Sequence, residues 1–250
     1  MGIQFRTPDT YHQILAGEVW NLFRDRFPEV EEHQRLAPVF ETFGPPTPHQ
    51  AKFELLNSAQ HDRFWFLTRD KSELVQFQDD RLLHNWRRLP EETAEYPRFE
   101  NMAQTFQDSA EKLERYLKTL GENEGLEISQ VEVSYINHFP VDREGAFTAL
   151  VENIKIVDGP DVPPEDMSFK YRRVIENCDQ PAGRLYVSCT PKVTQSGKRL
   201  VSLDLVVRGS PQESNIEGAM EFLFLGRDLI VREFANITTD GAQQRWGRTQ

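Results

Sequence analysis

The sequence predicts an α+β fold of two similar halves, residues 1–121 and 126–250, each with the element order β-α-β-β-β-α. The main observation is that this order of strand-like and helix-like segments occurs twice along the chain. A second is the glycine-bounded stretch 121–125, which marks the seam between the halves. A third is a slight residue correspondence, as between 63–66 and 184–187. We therefore expect antiparallel, curved sheet structure with helices packed on one face, the two halves together forming one compact unit.

The elements of the first half follow from apolar periodicity and the residues that interrupt it. Segment 10–27 carries apolar residues at a 3.6-residue period between Pro8 and Pro28, which predicts an amphipathic helix. The prolines between 38 and 48 indicate a short edge strand and then a turn. Three strand candidates come next, at 51–56, 63–68 and 73–78. The clearest amphipathic helix of the chain spans 99–120 and ends at glycine.

The second half repeats this order. Alternating apolar residues predict a strand at 129–139, and an apolar stripe predicts a helix at 143–157. Three strands and a long helix follow, at about 167–176, 183–190, 199–208 and 215–236. Thr239 or Asp240 is placed to cap a short last helix that carries Trp246. We expect Trp246 to pack back on the domain, with an exposed anchor for a partner as the alternative.

Charge and hydropathy narrow the functional classes. The 250 residues carry a formal net charge of −11, which argues against duplex DNA and anionic membranes as partners. Mean hydropathy is −0.61, and the apolar stretches are much shorter than the ~20 residues of a spanning helix. The first residues show no apolar leader pattern. We therefore expect a cytoplasmic protein that does not interact with membranes.

Motifs for metals and cofactors are missing from the sequence. Cys178 and Cys189 lack C-x-x-C spacing, and the 6 histidines form no metal-binding pair, so no metal site is predicted. The sequence has no phosphate-binding glycine loop and no G-x-S-x-G nucleophile motif. We therefore predict no cofactor and no catalytic residue. An enzyme stays an open alternative because active sites can be assembled from distant residues.

The densest polar-aromatic cluster lies between residues 78 and 98. Its candidate binding residues are Asp80, Arg81, Asn85, Trp86, Arg87, Tyr96 and Arg98. Adjacent carboxylates could hold a metal or transfer protons, but neighbours on a strand point to opposite faces, which separates Asp79 from Asp80. We expect one of the two carboxylates to pair with Arg81, Arg87 or Arg98. This pair would stabilise the chain where it leaves the strand. Asn85 is interpreted as a turn residue, and Trp86 as an anchor at the core edge or a ring that stacks a ligand.

A second cluster, Tyr135 to Pro140, lies near the end of a predicted strand. Its candidate binding residues are Tyr135, Asn137 and His138. A lone histidine in such a position is more often a hydrogen-bonded structural residue than a catalyst.

These clusters together resemble an uncharacterised family of bacterial proteins of about 250 residues. The motifs that carry the resemblance keep their order from about residue 20 to 248: Gln-x-Asp-Arg-x-x-x-Asn-Trp-Arg at 78–87, Tyr-Pro-Arg at 96–98, Val-Glu-Val-x-Tyr-Ile-Asn at 131–137, Arg-Gly at 208–209, Ile-Val-Arg-x-Phe at 230–234, Thr-Thr at 238–239 and Trp246. On this resemblance Arg208, Arg232 and Trp246 join the candidate binding residues. Members often have His where this chain has Arg227, and their N-terminal strand is longer than Ile3–Arg6.

The resemblance implies a type of genetic context and no activity. The family is distributed sporadically among bacteria, as genes of mobile or antiphage-defence loci often are. The repeated element order also resembles the TATA-box-binding-protein-like class of saddles, which concerns the fold alone.

Three functional hypotheses follow. The first is a non-enzymatic binding or regulatory subunit, antitoxin-like or from a defence locus, whose acidic surface suits a basic protein encoded nearby. The second is a sensor or enzyme for a nucleotide-like ligand in the groove between the halves, with Arg81, Arg87 and Arg98 holding anionic groups and Trp86 or Tyr135 stacking the ring. The third is a single-stranded nucleic-acid binder in which Trp65, Phe77 and Tyr186 stack bases, with a core role for these aromatics as the alternative.

Overall fold

The computed structural model describes residues 1–44, 62–89, 95–121, 125–141, 145–155, 166–177, 180–194 and 196–246. Within these ranges the strands are β1 (Gly2–Phe5), β2 (Glu29–His33), β3 (Arg63–Leu67), β4 (Glu73–Gln78), β5 (Arg81–Trp86), β6 (Ile128–Pro140), β7 (Phe169–Asn177), β8 (Gln180–Val193) and β9 (Arg199–Gly209). The helices are α1 (Ala16–Asn21), α2 (Phe99–Thr119), α3 (Ala146–Asn153), α4 (Ile216–Ile237) and α5 (Asp240–Arg245). None of these helices has the length and apolar character needed to cross a membrane.

The described strands form an antiparallel sheet in the order β2-β3-β4-β5-β1-β6-β9-β8-β7. Helices combined with such a sheet confirm the predicted α+β class. Four described strands lie between α1 and α2, one more than the predicted order has. The chain divides into two compact units: unit 1 is Met1–Glu132 with Gly209–Leu223, and unit 2 is Val133–Arg208 with Phe224–Gln250.

The core of unit 1 lies on one face of its strands. Alternation along β1, β3, β4 and β5 sends apolar side chains to that face: Ile3, Phe66, Val75, Phe77 and Leu82. Helix α2 adds the buried Met102, Phe106 and Leu113 from a single stripe. Phe77 is only 2% exposed and meets Tyr11 edge to face, so its interpretation as a stacking platform is wrong.

The first helix is shorter than predicted. Segment 10–27 forms a 3-10 turn at Gln13–Leu15, then the six-residue α1, and then further turns. Short i+3 hydrogen bonds such as Phe23 N–H to the Trp20 carbonyl tighten the chain after α1. Phe23 and Phe27 are buried as expected, whereas Ile14 is 89% exposed. The strand candidate 51–56 lies outside the described residues.

Unit 2 has its core on the side of β9 that carries Val201, Leu203, Leu205 and Val207. Helix α4 approaches this core closely at Gly226, where an added Cβ would lie 2.6 Å from Val133 Cγ1. The short last helix is present, and the Thr239 hydroxyl caps it by accepting the Ala242 N–H at 3.2 Å. Trp246 then stacks on Phe139, with ring centres 5.1 Å apart.

Candidate functional site

A buried polar network lies where β4 turns into β5. Arg81 Nε donates to Asp80 Oδ1 at 3.1 Å, so the structure contains the predicted carboxylate–arginine pair. Gln78 Nε2 donates to the same oxygen at 2.7 Å, and Arg81 Nη2 donates to Gln4 Oε1 at 3.0 Å. Gln78 and Gln4 both lie directly opposite Arg81 on neighbouring strands, and opposed residues share a face of the sheet.

This network holds the backbone of a chain segment against the sheet. The segment, residues 34–44, follows β2 and is called the strap here. Gln78 makes two reciprocal bonds to Leu36: its Oε1 accepts the Leu36 N–H at 2.9 Å, and its Nε2 donates to the Leu36 carbonyl at 3.1 Å. Arg81 Nη2 donates to the Ala37 carbonyl at 3.1 Å. Pro38 favours this arrangement because it restricts Ala37 to extended conformations.

Two further contacts fix the ends of the bound part of the strap. The Val39 N–H donates to Gln4 Oε1 at 3.1 Å. Arg35 Nη1 donates to Asp79 Oδ1, and its Nη2 lies 3.6 Å from Asp80 Oδ2. Asp79 and Asp80 therefore act on a shared cation although they come from adjacent positions, because they lie in the turn and not in a strand.

The other predicted residues of this cluster have separate roles. Asn85 and Trp86 lie in β5 and not in a turn, and Asn85 Oδ1 accepts from Gln76 Nε2 at 2.9 Å. Trp86 meets the ring of Tyr96 at 5.2 Å. Arg87 Nε donates to the Lys71 carbonyl at 2.8 Å. The structure thus does not gather Arg81, Arg87 and Arg98 around one anion site among the described residues.

Arg98 stands at the start of α2 with φ 66° and ψ 154°. Residues other than glycine rarely adopt this backbone conformation, which costs them about 1–3 kcal/mol. We therefore expect Arg98→Gly to raise the free energy of unfolding by about 1 kcal/mol, measured by urea denaturation. Arg115→Gly, at an exposed interior position near the end of the same helix, is the matched control and should lower it by about 1 kcal/mol. A loss of stability in Arg98→Gly would contradict the strain argument.

A second buried network lies on the core face of the same strands, and the sequence analysis did not identify it. His84 is fully buried, and its Nε2 lies 2.7 Å from Glu73 Oε1. Arg26 Nη2 donates to both oxygens of Glu73, at 2.9 and 2.7 Å. Burial lowers the pKa of His84 although Glu73 acts to raise it. Burial opposes ionisation of Glu73, but hydrogen bonds and charge from His84 and Arg26 hold its pKa below the ordinary value.

The second predicted cluster is divided between the two faces of β6. Alternation puts Tyr135 and Asn137 on the face of the buried Val133 and Phe139, and puts the exposed His138 on the other face. Asn137 Nδ2 donates to the Leu203 carbonyl at 3.4 Å.

Two of the three remaining candidates lie in α4 or directly after α5 of unit 2. Arg232 is exposed on α4. Trp246 packs on Phe139 and Phe234, as expected, and is 41% exposed.

Arg208 belongs to a group of cations around Tyr186 on the non-core face of unit 2. In the β7–β8 register Arg172 lies directly opposite Tyr186. The Arg208 guanidinium carbon lies 5.9 Å from the Tyr186 ring centre. Lys170 and Arg184 are the neighbours of this row on the same face, by alternation along β7 and β8. These five residues are called the Tyr186 cluster.

Comparison of the chain with protein-family models, curated proteins and solved structures returned no significant match. The bacterial-family resemblance and the defence-locus hypothesis therefore stay predictions. In the described ranges no three His, Cys, Asp or Glu side chains are grouped as a metal site would require.

Proposed function

We propose that the protein is a binding protein that takes up an extended segment of a partner protein on the face of unit 1 now covered by the strap. The proposal keeps the first hypothesis from the sequence, a non-enzymatic binding subunit, and assigns its binding surface to this face of unit 1. The strap supports it because Gln4, Gln78 and Arg81 all bond its backbone atoms. Backbone groups are common to all extended segments, as in strand addition to a sheet edge, so such contacts fit other chains too.

The strap is held with little net free energy. Ordering its backbone costs about 1–2 kcal/mol per residue. Each hydrogen bond to the sheet returns about 0.5–1.5 kcal/mol net. The side chains of Ala37, Pro38 and Val39 are exposed, so apolar burial adds little. A partner segment of similar shape can therefore replace the strap at small cost.

The chemistry of the face indicates which segment it accepts. Gln78 and Arg81 are buried under the strap, and buried polar groups without partners cost about 1–3 kcal/mol each. A replacement must therefore present a carbonyl and an N–H where Leu36 and Ala37 present theirs. Asp79, which binds Arg35, favours a basic residue just before them. The net charge of −11 attracts a basic partner in the same way over longer distances.

A peptide experiment tests this proposal. The probe is a fluorescein-labelled peptide of residues 33–41, and the protein variant is Leu36→Pro, whose strap lacks the N–H that bonds Gln78. We expect the peptide to bind the variant at least ~10-fold more tightly than wild type, because the intact strap competes with it. Adding Gln78→Leu should weaken binding ~10-fold or more through loss of two hydrogen bonds.

Two peptides serve as controls. A peptide that itself carries Leu36→Pro should not bind, and one that carries Arg35→Glu should bind more weakly because it meets Asp79 with the wrong charge. Equal binding to wild type and variant, or no binding to a variant whose thermal midpoint is unchanged, would overturn the proposal.

We also propose that the two predicted halves are duplicates. The strand order supports this, because β1 lies beside the last strand of the first half, β5, and β6 lies beside the last strand of the second half, β9. In each half a long helix also follows the last strand, α2 after β5 and α4 after β9.

A further inference from the structure

We propose that the Tyr186 cluster of unit 2 is a binding site for single-stranded nucleic acid. This proposal is independent of the strap, because it concerns another unit and other residues. Arg172 on β7 lies directly opposite Tyr186 on β8, and the guanidinium carbon of Arg208 on β9 lies 5.9 Å from the Tyr186 ring centre. Arg184 lies two residues from Tyr186 along β8, about 6.6 Å away on the same face.

The two faces of β7 use their cations differently. Arg173, on the core face, donates to Glu233 of α4 at 2.9 Å, and Tyr171 donates to the same buried carboxylate. The charge of Arg173 is therefore paired with a buried carboxylate, although its own side chain is 61% exposed. Lys170 and Arg172, on the opposite face, are exposed. Two exposed cations of β7 therefore lie on the side of Tyr186, in a chain whose net charge is −11.

These local positive charges favour an anionic ligand although the whole chain is acidic. Salt screens distant charges, so a bound ligand interacts mainly with the charges next to it. The regular stretch of the face ends at the register shift between Ile175 and Glu176. Within it, Arg172 lies next to Tyr186 across the strands and Arg184 lies next to it along β8, so both are placed to meet phosphates of a strand that stacks on Tyr186. Guanidinium groups bind phosphate oxygens with strong, charge-assisted hydrogen bonds.

The aromatic ring distinguishes nucleic acid from other anions. A base can stack on a tyrosine ring or on the plane of an arginine guanidinium. The Arg208 guanidinium carbon lies 5.9 Å from the Tyr186 ring centre, so both kinds of surface are close together here. Base faces are open to such stacking in single strands and hidden in a duplex. An acidic protein segment would use the cations but gain nothing from the ring.

Fluorescence anisotropy with labelled oligo(dT) and oligo(U) of about 12 nucleotides tests the site on the full chain. Between about 50 and 200 mM salt, we expect the logarithm of the binding constant to fall with a slope near −2 to −3, as for three or four phosphate contacts. Arg172→Gln and Arg184→Gln should each reduce the slope by about 0.7. Tyr186→Leu should weaken binding about 10-fold with the slope unchanged.

Lys198→Gln is the charge-matched control, because Lys198 lies in the turn after β8, distant from the row. It should leave affinity and slope unchanged, and all variants should keep the wild-type thermal midpoint. Tighter binding of one oligonucleotide type assigns the site to DNA or to RNA. Absence of salt-dependent binding to both overturns the proposal. The proposal is also overturned if polyglutamate displaces the labelled oligonucleotide as well as unlabelled oligonucleotide does and Tyr186→Leu has no effect on binding. The face would then recognise negative charge alone.

Discussion

Glu73→Leu should lower the free energy of unfolding at pH 7 by about 2–4 kcal/mol. Glu73 accepts hydrogen bonds from Arg26 and lies 2.7 Å from His84, and Leu leaves both without this partner. His84 is fully buried and cannot reach water, whereas Arg26 is half exposed and recovers part of the loss. Urea denaturation followed by circular dichroism measures the difference.

Glu31→Leu is the control for this prediction. Glu31 lies on β2 of the same sheet and faces Lys71 at 3.4 Å, but its side chain is far more exposed. An exposed pair contributes about 0–1 kcal/mol, so the control should stay within that range. Similar losses in Glu31→Leu and Glu73→Leu would show that the buried network has no special role.

The pH dependence gives the Glu73 prediction a second signature. The folded-state pKa of Glu73 is below its ordinary 4.5, so its stabilisation is present above pH 4.5 and is lost as the pH falls through the folded value. The difference in free energy of unfolding between wild type and Glu73→Leu should therefore decrease as the pH falls into the acid range.

His84 also has a lowered pKa, so the unfolded chain takes up a proton below about pH 6.5 while the folded chain does not. Wild-type stability should accordingly begin to fall at that pH.

Gly226→Ala should lower the free energy of unfolding by about 1–2 kcal/mol, although alanine favours helices. The new Cβ would lie 2.6 Å from Val133 Cγ1 and 3.0 Å from Val207 Cγ1. Both valines are buried in strands, where β-branched side chains have little rotational freedom. The helix must therefore move away from the sheet, which loses contacts along its length.

Gly17→Ala is the matched control, since Gly17 lies in α1 with nothing within 4 Å of its added Cβ. It should stabilise the protein by up to about 1 kcal/mol, the ordinary gain in helix propensity. The same substitution thus has opposite signs at the two sites. A stabilised Gly226→Ala protein would mean that α4 does not approach the sheet as closely as described.

Sequence reasoning located the elements whose pattern is apolar and periodic. The helices predicted at 99–120 and 215–236 agree with α2 and α4 within two residues at each end. Each of them has a buried stripe that repeats every three to four residues and is therefore visible in the sequence.

The polar residues at the strap could not be located in this way. Strand β5 was missed because Arg81 and His84 are buried on opposite faces of it, which removes the usual alternation of apolar and polar residues. Gln4 and Gln78 look like surface residues until the register of β1, β4 and β5 is known. Their role in the polar network follows only from this register, which places both side chains next to Arg81.

The composition of unit 1 has a consequence for synthesis on the ribosome. Besides Met1–Glu132, it includes Gly209–Leu223, whose Ser214 carbonyl accepts the Ile128 N–H at 2.9 Å. Domains commonly fold as they emerge, the N-terminal one first. Here the first 132 residues emerge without the stretch that completes their unit. The nascent chain therefore has to wait for about 90 further residues, added at ~5–20 per second, before unit 1 can close.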